Sequence, residues 1–321
     1  MRPPLERQDL TMKKIYKTVD GHLTVCPTLE KGCWVHLQNP TREEMDGLTK
    51  RFALDPSFLS AALDVEERAR LEHDKEQTLI IVDTPFMEAE GSGYIYSTIP
   101  IGIVLVDDVI ITIEFQETSI ITDFTEERIR GFTTEKRFRF ILQLLFRNAA
   151  LFLSYLRQVD KASMMVQNKL EKSLRNRELL QMMKLEKSLV FFSTSLKGNE
   201  VVLEKMMRLE SIRQVPEVED LLEDVIIENR QAMEMCTIYR DILSGTMDAF
   251  ASIISNNLNI VMKVLTSLTV LLSVPTLFAS LWGMNVVVPF TNSPVGFYIV
   301  LGISVISAFI AFILLKRKKM F

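Results

Sequence analysis

The pattern of apolar and charged positions separates two long apolar segments near the end of the chain from a mixed region before them. No Asp, Glu, Lys, Arg or His occurs between Lys263 and Lys316. Residues 264–282 would span about 28 Å at the helical rise of roughly 1.5 Å per residue, close to the hydrocarbon thickness of about 30 Å. The pattern therefore predicts two membrane-spanning helices, the first over about 262–282 and the second over 295–315.

The residues that flank the two spans predict their orientation. Residues 286–294 contain turn-forming Pro and Asn residues and no charge, which is typical of a short loop. The tail, residues 316–321, contains four successive basic residues, and such clusters usually stay on the cytoplasmic side. We therefore expect an external loop, cytoplasmic N and C termini, and a multi-pass location in the cell (plasma) membrane, in contact with lipid.

Along the first predicted span, a stripe of mostly small polar residues recurs at alternating steps of three and four, which places it on one face of a helix. The stripe consists of Asn259, Met262, Thr266, Thr269, Ser273, Thr276 and Ser280. Two interpretations are open: close packing of membrane helices, which small hydroxyl residues permit, or the lining of a water-filled pore. Because two spans per chain cannot enclose a wide path alone, a pore would require an oligomer.

Strand and helix signals alternate over residues 1–133. Asp107-Asp108 predicts a tight turn, and runs rich in β-branched residues predict strands at 33–37, 78–82, 99–106 and 109–115. Asn39 or Thr41, followed by acidic residues, predicts the start of a helix that continues to about Phe52, and residues 56–63 predict a second short helix. Together these elements predict an α+β cytoplasmic domain with α/β/α-like layers.

Helical periodicity dominates the middle of the chain. Residues 134–215 predict two antiparallel helices with a turn at 175–177, and the second helix is expected over 178–209. Their apolar faces are predicted to contain Ile141, Leu144, Leu145, Ala149, Phe152, Leu156 and Val159 in the first helix, and Met182, Met183, Leu185, Leu189 and Phe192 in the second. Pro216 then opens a helix that nothing except Gly245 interrupts before Pro275, and which continues to Trp282 over about 100 Å. Residues 216–285 therefore predict a long stalk helix that becomes the first span.

Charge and cysteine content exclude several classes of function. The tail contains four of the 37 basic residues, so the 41 acidic residues outnumber the remaining 33 and give the rest of the chain a net charge of −8. This balance argues against nucleic acid as a partner. Cys26, Cys33 and Cys236 have no metal-binding spacing, and no nucleophile–base set or phosphate loop is present, so neither an enzyme nor a cofactor is expected.

The end of the first span carries a family resemblance. Gly283-Met284-Asn285 closes the first of two C-terminal spans, a basic tail follows the second, and the upstream blocks 239–245 and 255–266 continue the match. This combination resembles the CorA family of divalent-cation channels. The resemblance implies a funnel-shaped homopentamer in which one long helix of each subunit lines the pore. It also implies a selectivity filter of Gly283, Met284 and Asn285.

The resemblance further implies roles for individual residues. Asn259, Met262 and Leu265 would face the pore with Leu265 at its constriction, whereas periodicity alone places Thr266 on the axis. The stripe predicts a pore lining that continues through Thr269, Ser273 and Thr276. Asn285 would accept hydrogen bonds from the waters of hydrated Mg²⁺, and its alternative role is a helix C-cap. Mg²⁺ would be both the transported and the regulatory ion, with regulatory acids at Asp224, Asp248 and Asp64.

These observations favour Mg²⁺ uptake driven by the membrane potential and gated by cytosolic Mg²⁺. One alternative is transport of Zn²⁺, Co²⁺ or Ni²⁺ on the same scaffold, since a site for hydrated ions discriminates by size and charge. A second alternative is a membrane-anchored coiled-coil scaffold, which explains the long helices but not the polar stripe that ends in Gly-Met-Asn.

Overall fold

The structure is a computed structural model that describes residues 12–74, 77–90, 93–172, 176–285, 290 and 294–318. These residues form two compact units that divide between Gly245 and Thr246, inside one long helix. The first unit contains a mixed β-sheet and the helices that cover it, and the second contains two long apolar helices.

Seven strands of the described chain form a single sheet in the first unit. Their bounds are β1 Met12–Val19, β2 His22–Val25, β3 Trp34–Gln38, β4 Arg70–Asp74, β5 Gln77–Glu90, β6 Gly93–Val106 and β7 Val109–Glu114. The strand order is β2-β1-β3-β7-β6-β5-β4. All neighbours are antiparallel except β3 and β7, which run parallel and align Trp34 with Ile110.

Eight helices occur among the described residues. Their bounds are α1 Arg42–Phe52, α2 Pro56–Ala61, α3 Ser119–Thr125, α4 Arg137–Lys172, α5 Asn176–Met206, α6 Glu210–Arg213, α7 Pro216–Trp282 and α8 Pro294–Arg317. Thr41 caps α1 as expected, because its hydroxyl accepts from the backbone N–H of Glu44 while the Glu44 carboxylate accepts from the backbone N–H of Thr41. The sequence also predicted both bounds of α7.

Two apolar cores lie on opposite faces of the sheet. The strands alternate between them, so that Ile80 and Val82 face α4 and α5 while Leu79 and Ile81 face α1 and α2. Trp34 is fully buried in the core that faces α4 and α5, where its ring centroid lies 4.9 Å from that of Tyr16. Strands buried on both faces explain the continuous apolar runs in the sequence. The predicted α/β/α-like layering is confirmed.

Gly102 in β6 allows α2 to approach the sheet closely. A Cβ at this position would lie 2.4 Å from the Cβ of Ala62, which immediately follows α2. Such a contact is far inside van der Waals distance, so only glycine fits without displacing α2.

Five elements were not predicted from the sequence: β1, β2, β4, α3 and α6. Strands β2 and β4 are the two edges of the sheet, and Glu72, His73 and Asp74 of β4 are exposed. Edge strands commonly carry charged residues, which protect their open side from pairing with other chains. In β4 these charges remove the apolar signal by which a strand is recognised in a sequence, whereas β2 has no Asp, Glu, Lys or Arg and is only four residues long.

The predicted helical region at 134–210 needs correction at its turn, its end and one face. Asn176 already belongs to α5, while Arg175 lies outside the described residues. Helix α5 ends at Met206 rather than at Leu209, and the short α6 that follows brings Ile212 into the same core. Met182 is buried but Met183 is 52% exposed, so its assignment to the apolar face was wrong.

The first part of α7 packs along α5 within the first unit. The side chain of Asn229 is buried and donates to the backbone C=O of Leu196 at 3.1 Å. The Sγ of Cys236 lies 3.2 Å from the backbone O of Leu189, and burial raises the pKa of this thiol to about 11. These contacts attach the start of α7 firmly to the unit that contains the sheet.

Candidate functional site

Helices α7 and α8 are long and apolar enough to cross a membrane. Their most apolar stretches are almost entirely exposed in the single chain, unlike the core helices of a soluble protein. Both predicted spans lie within these helices. Residues 286–289 and 291–293 of the predicted external loop, and residues 319–321 of the tail, lie outside the described residues.

One face of α7 is covered within the second unit. Ser267 is fully buried, and Leu271, Val274, Phe278 and Trp282 are partly buried. Since α8 is the only other helix in the described part of this unit, we attribute this cover to α8. At 3.6 residues per turn, the centre of the covered face lies roughly 150° from the centre of the polar stripe. The stripe therefore does not serve packing against α8.

The predicted pore-lining positions are all exposed in the single chain. Met262 is 51% exposed and Leu265 is 56% exposed. Thr266 is exposed as well, so both positions proposed for the constriction are open to a neighbouring molecule. The remaining predicted positions, which are also exposed, are Asn259, Thr269, Ser273 and Thr276.

Two hydroxyl groups of the stripe are bonded to the backbone of their own helix. The Oγ1 of Thr269 donates to the C=O of Leu265 at 2.9 Å, and the Oγ1 of Thr276 donates to the C=O of Leu272 at 2.8 Å. A hydroxyl group has one proton and two lone pairs. Because the proton is used on the helix, each of these groups presents only acceptor capacity on the exposed face.

The Gly-Met-Asn segment directly follows the last helical residue of α7. The backbone N–H of Gly283 still donates to the C=O of Ala279 at 3.0 Å, so the helical bonding extends one residue beyond Trp282. A Cβ at Gly283 would lie 3.4 Å from that same oxygen, which is an ordinary contact. Met284 and Asn285 are exposed. Both roles considered for Asn285, as an ion ligand and as a helix C-cap, stay predictions.

Gly296, near the start of α8, packs against Phe290, which lies between the two helices. A Cβ at this position would lie 2.7 Å from the backbone O of Phe290, which has a positive φ of 67°. This close approach fixes the chain as it enters α8.

The three predicted regulatory acids all have exposed side chains. Asp64 follows α2, and its Oδ1 accepts from the backbone N–H of Glu66 at 3.0 Å. Asp224 lies on α7 beside Val225 and Ile226, which belong to the core of the first unit. Asp248 belongs to the second unit. Pairing of these acids through an ion between subunits stays a prediction.

His36, for which the sequence indicated no partner, belongs to a buried polar cluster at the carboxyl ends of β3 and β7. Its Nδ1 lies 3.1 Å from the Oγ1 of Thr112, which also accepts from the indole N–H of Trp34 at 2.8 Å. Its Nε2 lies 3.3 Å from the Oε1 of Glu114, a carboxylate with no exposed surface. The one signal in the sequence that could have revealed this cluster is Glu114, a carboxylate at the end of the mostly apolar strand β7.

Comparison with known proteins gives a consistent result over most of the chain. A family model described as CorA-like Mg²⁺ transporter protein matches residues 30–317. The cobalt/magnesium transport protein CorA of Methanocaldococcus jannaschii is 27% identical over 298 residues, which cover 88% of this chain and 90% of that protein. The protein of the same name from Thermotoga maritima is 26% identical over 307 residues, covering 89% and 82% respectively.

The fold also matches a solved structure. The complete structure of the CorA magnesium transporter from Methanocaldococcus jannaschii superposes with a TM-score of 0.83. The match covers 95% of this chain and 98% of that chain at 23% identity. At this identity the superposition establishes the fold, which includes the mixed sheet, the long helices and two C-terminal apolar helices.

Proposed function

Because this chain belongs to the CorA family of Mg²⁺ transporter proteins, we propose that it conducts hydrated divalent cations, principally Mg²⁺, across a membrane. The observation that carries the proposal is the polar stripe of α7, which lies opposite the face covered by α8 and ends at Gly283-Met284-Asn285. A stripe on this open face is available to line a path formed by several copies of the chain. We propose a homopentamer, with α8 on the lipid side of each α7.

The proposed path suits an ion that keeps its water. Mg²⁺ gives up its waters reluctantly, and those waters present hydrogen-bond donors outward. The hydroxyl groups of Thr269 and Thr276 support this proposal, because their own protons are used on the helix backbone and only their lone pairs remain. The side-chain carbonyl of Asn285 can accept in the same way. Uncharged acceptors bind weakly enough for release, which conduction requires.

The gate is proposed to lie at Met262 and Leu265. Both side chains are large, apolar and more than half exposed, so a ring of five copies could close the path by excluding water. Cytosolic Mg²⁺ would favour the closed state by bridging acids between subunits, with Asp224, Asp248 and Asp64 as the proposed ligands. The inward driving force is the membrane potential, about 2.3 kcal/mol per elementary charge per 100 mV.

Orientation and location follow from the basic residues at the end of α8. Lys316 and Arg317 close this helix, and clusters of this kind remain in the cytoplasm. We therefore propose that both termini are cytoplasmic, that residues 286–294 are external, and that the protein resides in the plasma membrane.

The test is Mg²⁺ flux into proteoliposomes with low internal Mg²⁺ and a potential negative inside. Wild type is compared with Asn285→Ala, and chemical crosslinking verifies that both assemble equally. Asn257→Ala, an exposed asparagine of α7 that lies off the stripe, is the matched control. We expect flux in the wild type and the control, and loss of flux in Asn285→Ala.

Other outcomes identify the alternatives. Flux of Zn²⁺, Co²⁺ or Ni²⁺ without flux of Mg²⁺ would retain the path and change the ion. An absence of flux for all four ions in a correctly assembled wild type would overturn the proposal and leave a membrane-anchored scaffold.

A further inference from the structure

A small cavity of about 80 Å³ lies in the first unit, where the carboxyl ends of β3 and β7 meet α3. Oxygen-bearing side chains from four segments line it: Tyr16, Gln38, Glu114, Glu117, Thr122 and Thr125. The carboxyl ends of parallel strands are where ligands commonly bind in open sheets that carry helices on both faces, and β3 and β7 are the one parallel pair of this sheet within the described residues.

Glu114 lines the cavity and has an unused acceptor. Its side chain is fully buried, and its Oε2 accepts from the backbone N–H of Thr118 at 3.0 Å and from the hydroxyl of Thr118 at 2.7 Å. Its Oε1 is buried and accepts no hydrogen bond. The Nε2 of His36 lies 3.3 Å from Oε1 but is not aligned for a hydrogen bond. A buried carboxylate oxygen that accepts no hydrogen bond lowers the stability of the fold unless a cation or a hydrogen-bond donor reaches it.

We propose that the cavity binds a divalent cation of the Mg²⁺ type, held by the Glu114 and Glu117 carboxylates and by water. No group of three or more His, Cys, Asp and Glu side chains in the described part of the chain is arranged to hold a metal ion directly. Mg²⁺ does not need such a group, because it commonly binds through one or two carboxylates and keeps several waters. A cavity of this volume accommodates about two or three waters.

The bound ion would connect β7 to α3. Glu114 already holds Thr118, the residue at the N-cap of α3, and the Oε1 of Glu117 accepts from the hydroxyl of Thr122 one turn into that helix. An ion bound by both carboxylates would connect the Glu114–Thr118 contact with the Glu117–Thr122 contact. The site differs from the proposed regulatory acids, and its existence does not depend on whether the chain transports ions.

Trp34 provides a direct optical test on the full-length protein in detergent. Its ring lies 6.0 Å from the ring of His36, which is next to Glu114, so Tb³⁺ in the cavity would receive excitation energy from this indole. The chain has only one other tryptophan, Trp282, and the Trp282→Phe background removes it. With excitation at a wavelength that tryptophan absorbs and tyrosine does not, we expect saturable sensitised Tb³⁺ emission, which Mg²⁺ abolishes by displacing Tb³⁺ and which Trp34→Phe also abolishes.

Substitutions at the cavity identify the ligands. Glu117→Gln leaves the buried network intact and is expected to weaken Tb³⁺ binding roughly tenfold, whereas Glu43→Gln, an exposed carboxylate on α1, is the matched control and should have no effect. Glu114→Gln should abolish binding, with circular dichroism to verify folding. Lys14, at the exposed rim, carries the competing charge, so Lys14→Met should tighten binding. Absence of Trp34-dependent emission, or equal affinity in Glu117→Gln and wild type, would overturn the proposal.

Discussion

The side-chain amide of Asn199 in α5 forms two hydrogen bonds with the backbone of Asp83 in β5. Its Oδ1 accepts from the Asp83 N–H at 2.9 Å, and its Nδ2 donates to the Asp83 C=O at 2.8 Å. Strand β4 does not extend alongside Asp83, because Arg70, its first residue, pairs with Ile81 of β5. The Asn199 amide therefore forms the two backbone hydrogen bonds that a neighbouring strand would otherwise form with Asp83. Asn148 of α4 donates to the same C=O at 2.8 Å, so both long helices are attached to β5.

Removing this amide should destabilise the first unit. Asn199→Ala leaves the buried backbone groups of Asp83 without one partner each, and the free energy of unfolding should fall by about 2–3 kcal/mol. Hydrogen exchange measures the effect locally, since the Asp83 amide should lose its protection. Lys197→Ala, an exposed change on the same helix, should leave exchange at Asp83 unaltered. Equal protection in both variants would contradict the role assigned to Asn199.

The buried carboxyl group of Asp83 predicts a dependence of stability on pH. Burial raises its pKa above the ordinary value of 3.8, and a hydrogen bond from Ser195 opposes this shift only in part. Below the ordinary value the carboxyl group is protonated in both states, so its contribution to stability is then fully present. As pH rises from there through the higher pKa of the folded state, the buried group ionises and stability is lost.

Asp83→Asn should remove that loss. The variant should match the wild type at low pH and become more stable than it as pH rises, with a difference that stops growing above the pKa of the folded state. The thermal unfolding midpoint, measured for both proteins from pH 4 to pH 8, tests this. A difference that is constant with pH would show that ionisation of Asp83 is not the cause.

Gly102→Ala should disturb the contact between β6 and α2. The added methyl group would lie 2.4 Å from the Cβ of Ala62, and overpacking of this kind typically costs about 1–3 kcal/mol. Chemical denaturation of the wild type and the variant measures the cost. Gly47→Ala in α1, where nothing lies within 4 Å of the added carbon, is the control and should be neutral or stabilising. The double variant Gly102→Ala with Ala62→Gly should recover part of the loss.

The acceptor hydroxyl groups of α7 should affect flux more than folding. Thr269→Val and Thr276→Val keep the shape of each side chain but remove the oxygen, so Mg²⁺ flux into proteoliposomes should fall severalfold at unchanged assembly. Thr269→Ser and Thr276→Ser retain a hydroxyl group that can make the same bond to the helix, and should conduct nearly as well as the wild type. Equal flux in the valine and serine variants would show that the hydroxyl groups of Thr269 and Thr276 do not contribute to the ion path.

The three cysteines should differ in reactivity. Burial raises the pKa of the Cys236 thiol to about 11 and also raises the pKa of the Cys33 thiol. At pH 8 only about one thousandth of Cys236 would be thiolate, the reactive form. Cys26 is only partly buried, so a thiol reagent should label one site per chain rapidly and the other two only after denaturation. Cys26→Ser should abolish the rapid phase, and a rapid phase that persists would contradict this assignment.

The sequence predicted the elements whose signals are local. Helix α7 begins at Pro216 and ends before Gly283 as expected, because proline fits the first helical turn and the long apolar run stops there. The central strands were recognised by β-branched residues buried on both faces. Strand β4 was missed because its edge position favours charged residues, and β2 was missed because it is only four residues long. Met183 was misassigned because it neighbours the true buried face, which contains Met182.

Long-range pairings were beyond the sequence. Asn199 and Asp83 are separated by 116 positions, and neither belongs to a motif that would link them. His36 and Glu114 meet only because β3 and β7 are adjacent and parallel, an arrangement that local patterns do not specify. For the candidate site, periodicity identified the face of α7 that carries the stripe, but the roles of Leu265, Asn285 and Asp224 depend on neighbouring subunits and stay predictions.

The single parallel pairing in the sheet also bears on how the chain assembles. Strands β1 to β3 pair only with one another until β7 exists, and β4 to β7 form a second group of neighbours in sequence order. During synthesis the inner edge of β3 must therefore stay unpaired for about seventy residues, open to incorrect partners, and such non-local closure is slow. The same boundary is a natural place to divide the protein. A break in the exposed segment 64–66 would leave two fragments, each with all of its hairpins, that rejoin along one line of hydrogen bonds.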